Sequence, residues 1–167
     1  MRRLILMRHA KSEWGEVGVS DHDRRLNDRG RASAKVLGGW MRRNQYHPDE
    51  VICSSAQRTG ETYIGLALDP EPTVVFDRSL YLAPAHQMLK ALKKATTQCV
   101  LMVAHNDGIC DMAHRLLETR PQHERFSDYP TGATLVCDFK VDSWSKVNWH
   151  MGTVVDFVVP RELMRPK

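Results

Sequence analysis

Two polar motifs, each containing a histidine, stand directly after apolar runs of the chain. Arg8-His9 follows the run Leu4–Met7, and His105-Asn106 follows the run Cys99–Ala104. A third motif places Arg58 shortly after another apolar run. Together these side chains suit phosphoryl transfer, because a neutral imidazole is a competent nucleophile toward phosphorus and guanidinium groups stabilise the charge on the phosphoryl oxygens.

The motifs have to be positioned by an α/β fold, because strand-like apolar runs alternate with amphipathic segments along the chain. The pattern predicts a single three-layer domain over residues 1–167, with a mainly parallel sheet flanked by helices. In such sheets ligands bind outside the carboxyl ends of the strands, so the three motifs should share one rim. The predicted strands are 3–7, 50–53, 73–76, 99–104, 133–141 and 153–159, and the predicted helices are 28–43 (capped by Asn27), 56–68, 85–94 and 108–117 (capped by Asp107).

Arg58 falls in the first turn of the second predicted helix, which Ser54-Ser55 is expected to cap. A cation is disfavoured there by about 0.3–1 kcal/mol, because the helix dipole is positive at this end. An anion shared between Arg58 and the free N–H groups of the helix start would reverse the effect. The alternative is an Arg58 side chain that points to solvent or pairs with Glu61.

His9 and His105 could also be metal ligands, but zinc would need a third ligand and the charge of Arg8 would repel a cation. The arginine instead indicates an anionic substrate. We therefore expect no metal, and a protonated His105 beside the anion. The remaining histidines are expected at surface or packing positions: His22, His47, His86, His114, His123 and His150.

Composition excludes several other classes of protein. With 42% hydrophobic and 26% charged residues, the chain of 167 residues has ordinary globular composition. A net charge of +4 without an aromatic-interleaved basic stripe does not indicate a nucleic-acid partner. The first apolar run, Leu4–Met7, is far shorter than the roughly 20 residues of a spanning helix, so we expect no membrane segment and no export signal. Four cysteines without a C-x-x-C pair favour free thiols in the cytoplasm.

The motifs together resemble those of the histidine phosphatase superfamily, which has the phosphoglycerate mutase-like fold. The resembling stretches are Leu6–Trp14, Cys53–Thr62 and Ala104–Asn106, in that order along the chain. A further stretch, Asp21–Gly30, is similar to the SixA-like phosphohistidine phosphatase branch. Three motifs in series make this resemblance far more specific than a lone Arg-His-Ala.

The resemblance implies a role for each matching residue. His9 would be the nucleophile that becomes phosphorylated, and Arg8, Arg58 and His105 would bind the phosphoryl group. Two further residues would have supporting roles in substrate binding, namely Ser12 and Asn106. The implied cycle is attack by His9 followed by hydrolysis of phospho-His9, without a cofactor.

The chain departs from the superfamily's ester-cleaving members in one respect. Those members place a carboxylate proton donor after the third strand, whereas residues 79–86 contain no Asp or Glu, and Asp77 before them is expected to serve as a cap or a structural partner. An alkoxide leaving group needs a general acid, whereas the nitrogen of a phosphoramidate is a better leaving group. A donor from the polar stretch, Asp21, His22 or Asp23, stays open.

The favoured function is therefore that of a cytoplasmic, metal-independent phosphatase that acts on phosphohistidine of a partner protein. A histidine phosphotransfer domain is one such partner. Short loops are expected to leave its site open to a protein. The alternatives are a broad phosphomonoesterase of small phosphorylated metabolites and a phosphate-binding module without turnover. Mutase activity is not expected, because the chain lacks the large insertions that retain a phosphorylated intermediate. No nucleic-acid or membrane partner is expected, and the sequence leaves the oligomeric state open.

Overall fold

A six-stranded sheet runs through the middle of the protein, whose computed structural model describes residues 1–164. Its strands are β1 (Arg2–Arg8), β2 (Glu50–Ser54), β3 (Thr73–Asp77), β4 (Cys99–Ala104), β5 (Thr134–Phe139) and β6 (Thr153–Val158). The strands lie in the spatial order β3-β2-β4-β1-β5-β6. The first four strands in this order are mutually parallel, and β5 runs antiparallel to both of its neighbours. The predicted mainly parallel sheet is thus confirmed.

Helices cover both faces of the sheet and complete the predicted three layers. The central strand β1 shows why both faces need cover, because Leu4 and Leu6 pack into one apolar cluster while Ile5 and Met7 pack into the other. Helices α1 and α2 lie over one face with α5 beside α1, and α3 and α4 lie over the other. Their bounds are α1 (Asp28–Arg43), α2 (Gln57–Gly65), α3 (Ala85–Leu92), α4 (Gly108–Leu116) and α5 (Pro160–Leu163).

The predicted helix boundaries are confirmed best where a side chain caps the helix. The Asn27 side chain accepts a hydrogen bond of 2.8 Å from the Gly30 N–H at the start of α1, as expected. At α2 the expectation of a serine cap is wrong, because the capping position is Ala56 and no side chain caps it. The helix also ends at Gly65, before residue 68, since Ala67 adopts a φ of +50° that leaves the helical region.

The other helix ends differ from the predicted ones by one or two residues. Helix α3 ends at Leu92 and α4 ends at Leu116. Asp107 stands at the capping position of α4, as expected, but its side chain makes no capping hydrogen bond. Residues 165–167 of the predicted domain lie outside the described part of the chain. Among residues 1–164, no helix is both long and apolar enough to cross a membrane.

The sheet register explains why the three polar motifs meet. Because β1, β4 and β2 are adjacent and parallel, their carboxyl ends emerge at one edge of the sheet. Arg8 pairs with Ala104 in the ladder, and Cys53 pairs with Val103. The residues that follow each strand therefore lie at one rim, as the strand pattern predicted.

Candidate functional site

The two predicted site histidines face each other at this rim. The ring centroids of His9 and His105 are 5.4 Å apart, and the planes are tilted by 54°. Both residues are almost fully buried, with 7% and 2% of their surface exposed, and Arg58 at the start of α2 is 2% exposed. A buried cation beside two imidazoles is costly unless a negative charge accompanies it, which makes this rim a candidate active site.

The His9 ring is held in one tautomer. Its Nδ1 lies 2.7 Å from the carbonyl oxygen of Ala10. Because a carbonyl oxygen can only accept a hydrogen bond, Nδ1 carries the proton and Nε2 keeps a lone pair. The Ala10 N–H in turn donates to the Thr62 hydroxyl at 2.9 Å, which ties this segment to α2.

Burial also keeps the His9 ring neutral. Loss of solvent, followed by the positive charges of Arg8 and Arg58, lowers the pKa of His9 to about 3, although the hydrogen bond to Ala10 acts in the opposite direction. An imidazole with a free lone pair at neutral pH is a competent nucleophile. The arrangement therefore leaves Nε2 of His9 able to attack an electrophilic phosphorus.

The lowered pKa of His9 predicts a pH dependence of stability. In the unfolded chain a histidine binds a proton below pH 6.5, whereas folded His9 does so only near pH 3. Stability from neutral His9 is therefore lost as the pH falls from 6.5 toward 3. Relative to His9→Gln, the wild type should lose about 2–3 kcal/mol of unfolding free energy between pH 7.5 and 4.5. Urea unfolding of both proteins in phosphate-free buffer measures this difference, and parallel losses would contradict it.

Three of the predicted site residues each have a buried nitrogen atom without a partner. Within residues 1–164, Nε of Arg8, Nε of Arg58 and Nδ1 of His105 are buried and make no hydrogen bond. The two Nε atoms are donors, and Nδ1 of His105 is a donor when the Ser54 hydroxyl donates to Nε2. A buried donor left unpaired costs about 1–3 kcal/mol, so native proteins rarely retain several together without a role. Because these atoms come from three separate segments and two belong to guanidinium groups, they suit an anion with several acceptor oxygens.

His105 differs from the sequence expectation in its charge. Its Nε2 lies 2.7 Å from the Ser54 hydroxyl, at the end of β2. Burial above all, and then the charges of neighbouring groups including Arg58, lower the pKa of His105 to about 3. His105 is therefore neutral in the free site, since two nearby guanidinium groups disfavour a third positive charge, and its protonation beside a bound anion stays a prediction. Within residues 1–164 no cluster of three or more side chains could hold a metal ion.

Asn106 lies beside Arg8 and contacts the same loop. Its amide donates to the carbonyl oxygens of Asp128 at 3.1 Å and Tyr129 at 3.3 Å. Nη1 of Arg8 donates to the Tyr129 carbonyl oxygen as well, at 3.1 Å. The structure thus places Asn106 where it helps to hold the loop that anchors Arg8, and its contact with substrate stays a prediction.

Ser12 is engaged by another arginine. The Ser12 hydroxyl accepts a hydrogen bond of 2.9 Å from Nη1 of Arg24, and the Ser12 backbone bridges to Leu26. The Ser12 side chain is buried, and it begins the segment 12–26 that follows the end of β1. This contact gives Ser12 a part in fixing that segment, and its direct role in substrate binding stays a prediction.

Arg58 has a partner that sequence reasoning missed. It neither points to solvent nor pairs with Glu61, whose carboxylate accepts from the Leu26 N–H instead. Nη1 of Arg58 donates to the backbone oxygen of Asp21 at 2.7 Å, and Nη2 donates to its carboxylate at 3.2 Å. The open site expected from short loops is therefore wrong on this side, because the segment 12–26 covers the Nη edge of Arg58.

Tyr81 and His22 complete this wall of the site. The Tyr81 hydroxyl donates to the Asp21 carboxylate, and its ring meets His105 edge-on at 5.5 Å. His22 packs edge-on against Tyr81 at 4.8 Å, and its Nε2 lies 2.9 Å from the Ser55 hydroxyl. His22 is thus part of the site wall, whereas the sequence analysis expected a surface or packing position and left His22 open as a proton donor. Membership of the SixA-like stretch was the available signal for Asp21 and His22, whereas nothing in the sequence singled out Tyr81.

The charge of Asp21 bears on the search for a proton donor. The hydrogen bond from Tyr81, together with the nearby Arg58 and Arg24, lowers the pKa of the Asp21 carboxyl to about 2. Asp21 is therefore an anion at neutral pH and holds no proton to give in this arrangement. Asp77, the carboxylate nearest to the expected donor position, accepts from the Ser79 N–H and hydroxyl at 2.8 and 2.7 Å, which confirms its expected structural role.

The contact with Asp21 predicts a measurable effect on catalysis. We expect Asp21→Ala to lower kcat/KM for p-nitrophenyl phosphate by about 10- to 100-fold, because small misplacements of a charged group at a reacting centre carry costs of this order. Asp142→Ala is the matched control, since the Asp142 side chain is 79% exposed and lies beyond the far end of β5. An Asp21→Ala enzyme as fast as the control, or faster, would show that Asp21 does not position Arg58.

Comparisons with known proteins identify the family of the chain. Residues 4–81 match the model of the histidine phosphatase superfamily (branch 1). An uncharacterized protein of Mycobacterium leprae is 31% identical over 164 residues, which cover 93% of this chain and all of the relative.

Two solved structures share the fold. One is provisionally assigned as a phosphohistidine phosphatase SixA of Nakamurella multipartitia, with a TM-score of 0.84, 24% identity and coverage of 95% of this chain and 96% of the other. The second is the protein histidine phosphatase SixA complexed with tungstate, with a TM-score of 0.78, 17% identity and coverage of 96% and 99%. The chain belongs to the histidine phosphatase superfamily, has a SixA-like fold and is a phosphatase.

Proposed function

We propose that this phosphatase hydrolyses phosphohistidine on a partner protein, with His9 as the nucleophile. The observation that carries the proposal is the site itself. The ring of a neutral His9 lies 5.4 Å from that of His105, the charges of Arg8 and Arg58 act on it, and each of these three neighbours has a buried nitrogen atom without a partner. These four side chains suit a single phosphoryl group, which the three nitrogen atoms would bind through its oxygens.

The proposed cycle has two displacements at phosphorus. In the first, the bond from His9 Nε2 to phosphorus forms while the bond to the substrate nitrogen breaks, and that nitrogen keeps the electron pair. In the second, a water oxygen attacks phospho-His9, Nε2 recovers its electron pair, and inorganic phosphate leaves as dihydrogen phosphate with both water protons. Arg8 and Arg58 stabilise the oxygen charge in both steps, which is the main demand of phosphoryl transfer.

The substrate class follows from the leaving group. Residues 79–86 contain no carboxylate, and Asp21 is an anion with a pKa of about 2. Unless His22 of the site wall donates a proton, such a site is poorly suited to expel an alkoxide. A phosphohistidine ring that is already protonated leaves as neutral imidazole and needs no donor. The SixA names of the two structural neighbours agree with this choice of substrate.

A second candidate is a phosphomonoesterase of small metabolites. The observation that favours it is the depth of the site, because His9 is only 7% exposed and the segment 12–26 covers one wall. A small phosphate ester reaches a recess more readily than a folded protein does.

A cytoplasmic location belongs to either proposal, since four free cysteines suit a reducing compartment.

A comparison of three substrates tests the proposal. We expect kcat/KM to be highest for a peptide phosphorylated on histidine, lower for p-nitrophenyl phosphate and lowest for glycerol phosphate, because only the last leaving group requires an acid. Comparable rates on glycerol phosphate would favour the metabolite phosphatase. Lack of turnover on all three substrates, together with phosphate binding, would favour a binding module.

A further inference from the structure

A basic cleft lies beside the strand end that presents His9. It has a volume of about 260 Å³ and lies between α1, α5 and the residues around Thr131. Its lining contains four basic side chains and no carboxylate, although the chain as a whole has 24 basic and 20 acidic residues. The basic side chains are Lys11, Arg29, Arg125 and Arg161.

Most of these charges lack an internal partner. Arg125 pairs with Asp128 at 3.0 Å. Within residues 1–164, no carboxylate lies at ion-pair distance from the exposed side chains of Lys11, Arg29 or Arg161. Like charges that share a cleft repel one another and raise the local concentration of anions. The cleft is therefore built to receive negative charge from another molecule.

The cleft is connected to the proposed phosphoryl site through shared backbone. Lys11 follows His9 by two residues, and the Gly132 N–H donates to the carbonyl oxygens of Arg8 and His9 at 3.1 and 2.9 Å. The neighbouring Thr131 lines the cleft. Gly30 in α1 approaches the Lys11 carbonyl so closely that a Cβ there would lie 2.0 Å from the oxygen. These contacts join the wall of the cleft to the end of β1, next to His9.

We propose that the cleft docks an acidic segment of the phosphorylated partner protein. The cations come from four separate elements, so they suit several carboxylates along a chain better than one compact ion. This inference rests on the proposed function, since it names a feature of the same substrate. Docking beside a recessed nucleophile would also help a protein substrate to present its phosphohistidine.

Two synthetic peptides that differ only in charge test the proposal. Both contain one phosphohistidine, flanked by glutamates in the first peptide and by glutamines in the second. We expect kcat/KM to be about tenfold higher for the glutamate peptide, and to become equal for the two peptides in the double variant Arg29→Glu with Arg161→Glu. Rates are expressed relative to p-nitrophenyl phosphate for each protein, so that effects on the chemical step cancel.

The double variant Lys35→Glu with Arg43→Glu is the matched control. It makes the same charge change at exposed positions of α1 that do not line the cleft, and it should keep the preference. Equal rates on both peptides with the wild type, or a preference lost in both double variants, would overturn the inference. If neither peptide is hydrolysed, the proposed function fails. The docking proposal is then tested separately by the dissociation constants of the two peptides in their unphosphorylated form.

Discussion

Arg58→Ala should fold normally and lower kcat for p-nitrophenyl phosphate by about 10²–10³-fold. The Arg58 side chain is buried at the start of α2, with its Nη edge held by Asp21 and its Nε atom unpartnered. A cation fixed in this way stabilises the transferring phosphoryl oxygens without reorganisation, so its loss raises the barrier to chemistry. Steady-state kinetics and urea unfolding of the same preparation separate the effect on catalysis from one on stability.

Arg43→Ala is a matched control for this variant, because Arg43 is an exposed arginine at the end of α1. Arg58→Lys keeps the charge but loses the Nε atom and the planar fork, so its rate should lie between those of the wild type and Arg58→Ala. An Arg58→Ala enzyme with nearly normal turnover would overturn the assignment of Arg58 to the phosphoryl site.

His9→Ala should have the largest effect, a loss of at least about 10⁴-fold in kcat, as expected when a nucleophile is removed. The variant retains Arg8, Arg58 and His105, so it should still bind phosphate. Rapid acid-free quenching with radiolabelled substrate should show one labelled histidine per wild-type chain and none in the variant. His86→Ala is the control, because His86 is an exposed histidine of α3.

Two results would contradict the role of His9 as a nucleophile that becomes phosphorylated. A labelled His9→Ala protein, or one that turns over at the wild-type rate, would place the nucleophile elsewhere. A wild type that binds phosphate and never becomes labelled would favour a binding module instead of an enzyme with a covalent intermediate.

Sequence reasoning works for this protein where a short pattern determines the structure. The apolar runs before His9 and His105 predict parallel strands, and adjacent parallel strands bring their carboxyl ends to one rim. The Asn27 cap is equally local, since the accepting atom and the Gly30 N–H are three residues apart.

The contacts that the sequence could not supply are those between distant segments. Asp21 contacts Arg58 across 37 residues, and Tyr81 contacts Asp21 across 60, so neither contact follows from spacing or periodicity. The neutral charge of His105 in the free site also could not be read from the sequence. Its pKa depends on burial and on Arg58, and both are set by tertiary packing.

A crystal structure with bound orthovanadate tests most directly whether one oxyanion is shared by Arg8, His9, Arg58 and His105. We expect vanadium bonded to Nε2 of His9, with Nε of Arg8, Nε of Arg58 and Nδ1 of His105 about 2.7–3.2 Å from vanadate oxygens. Vanadate bound elsewhere, or bound here without contact to His9, would contradict the proposed site.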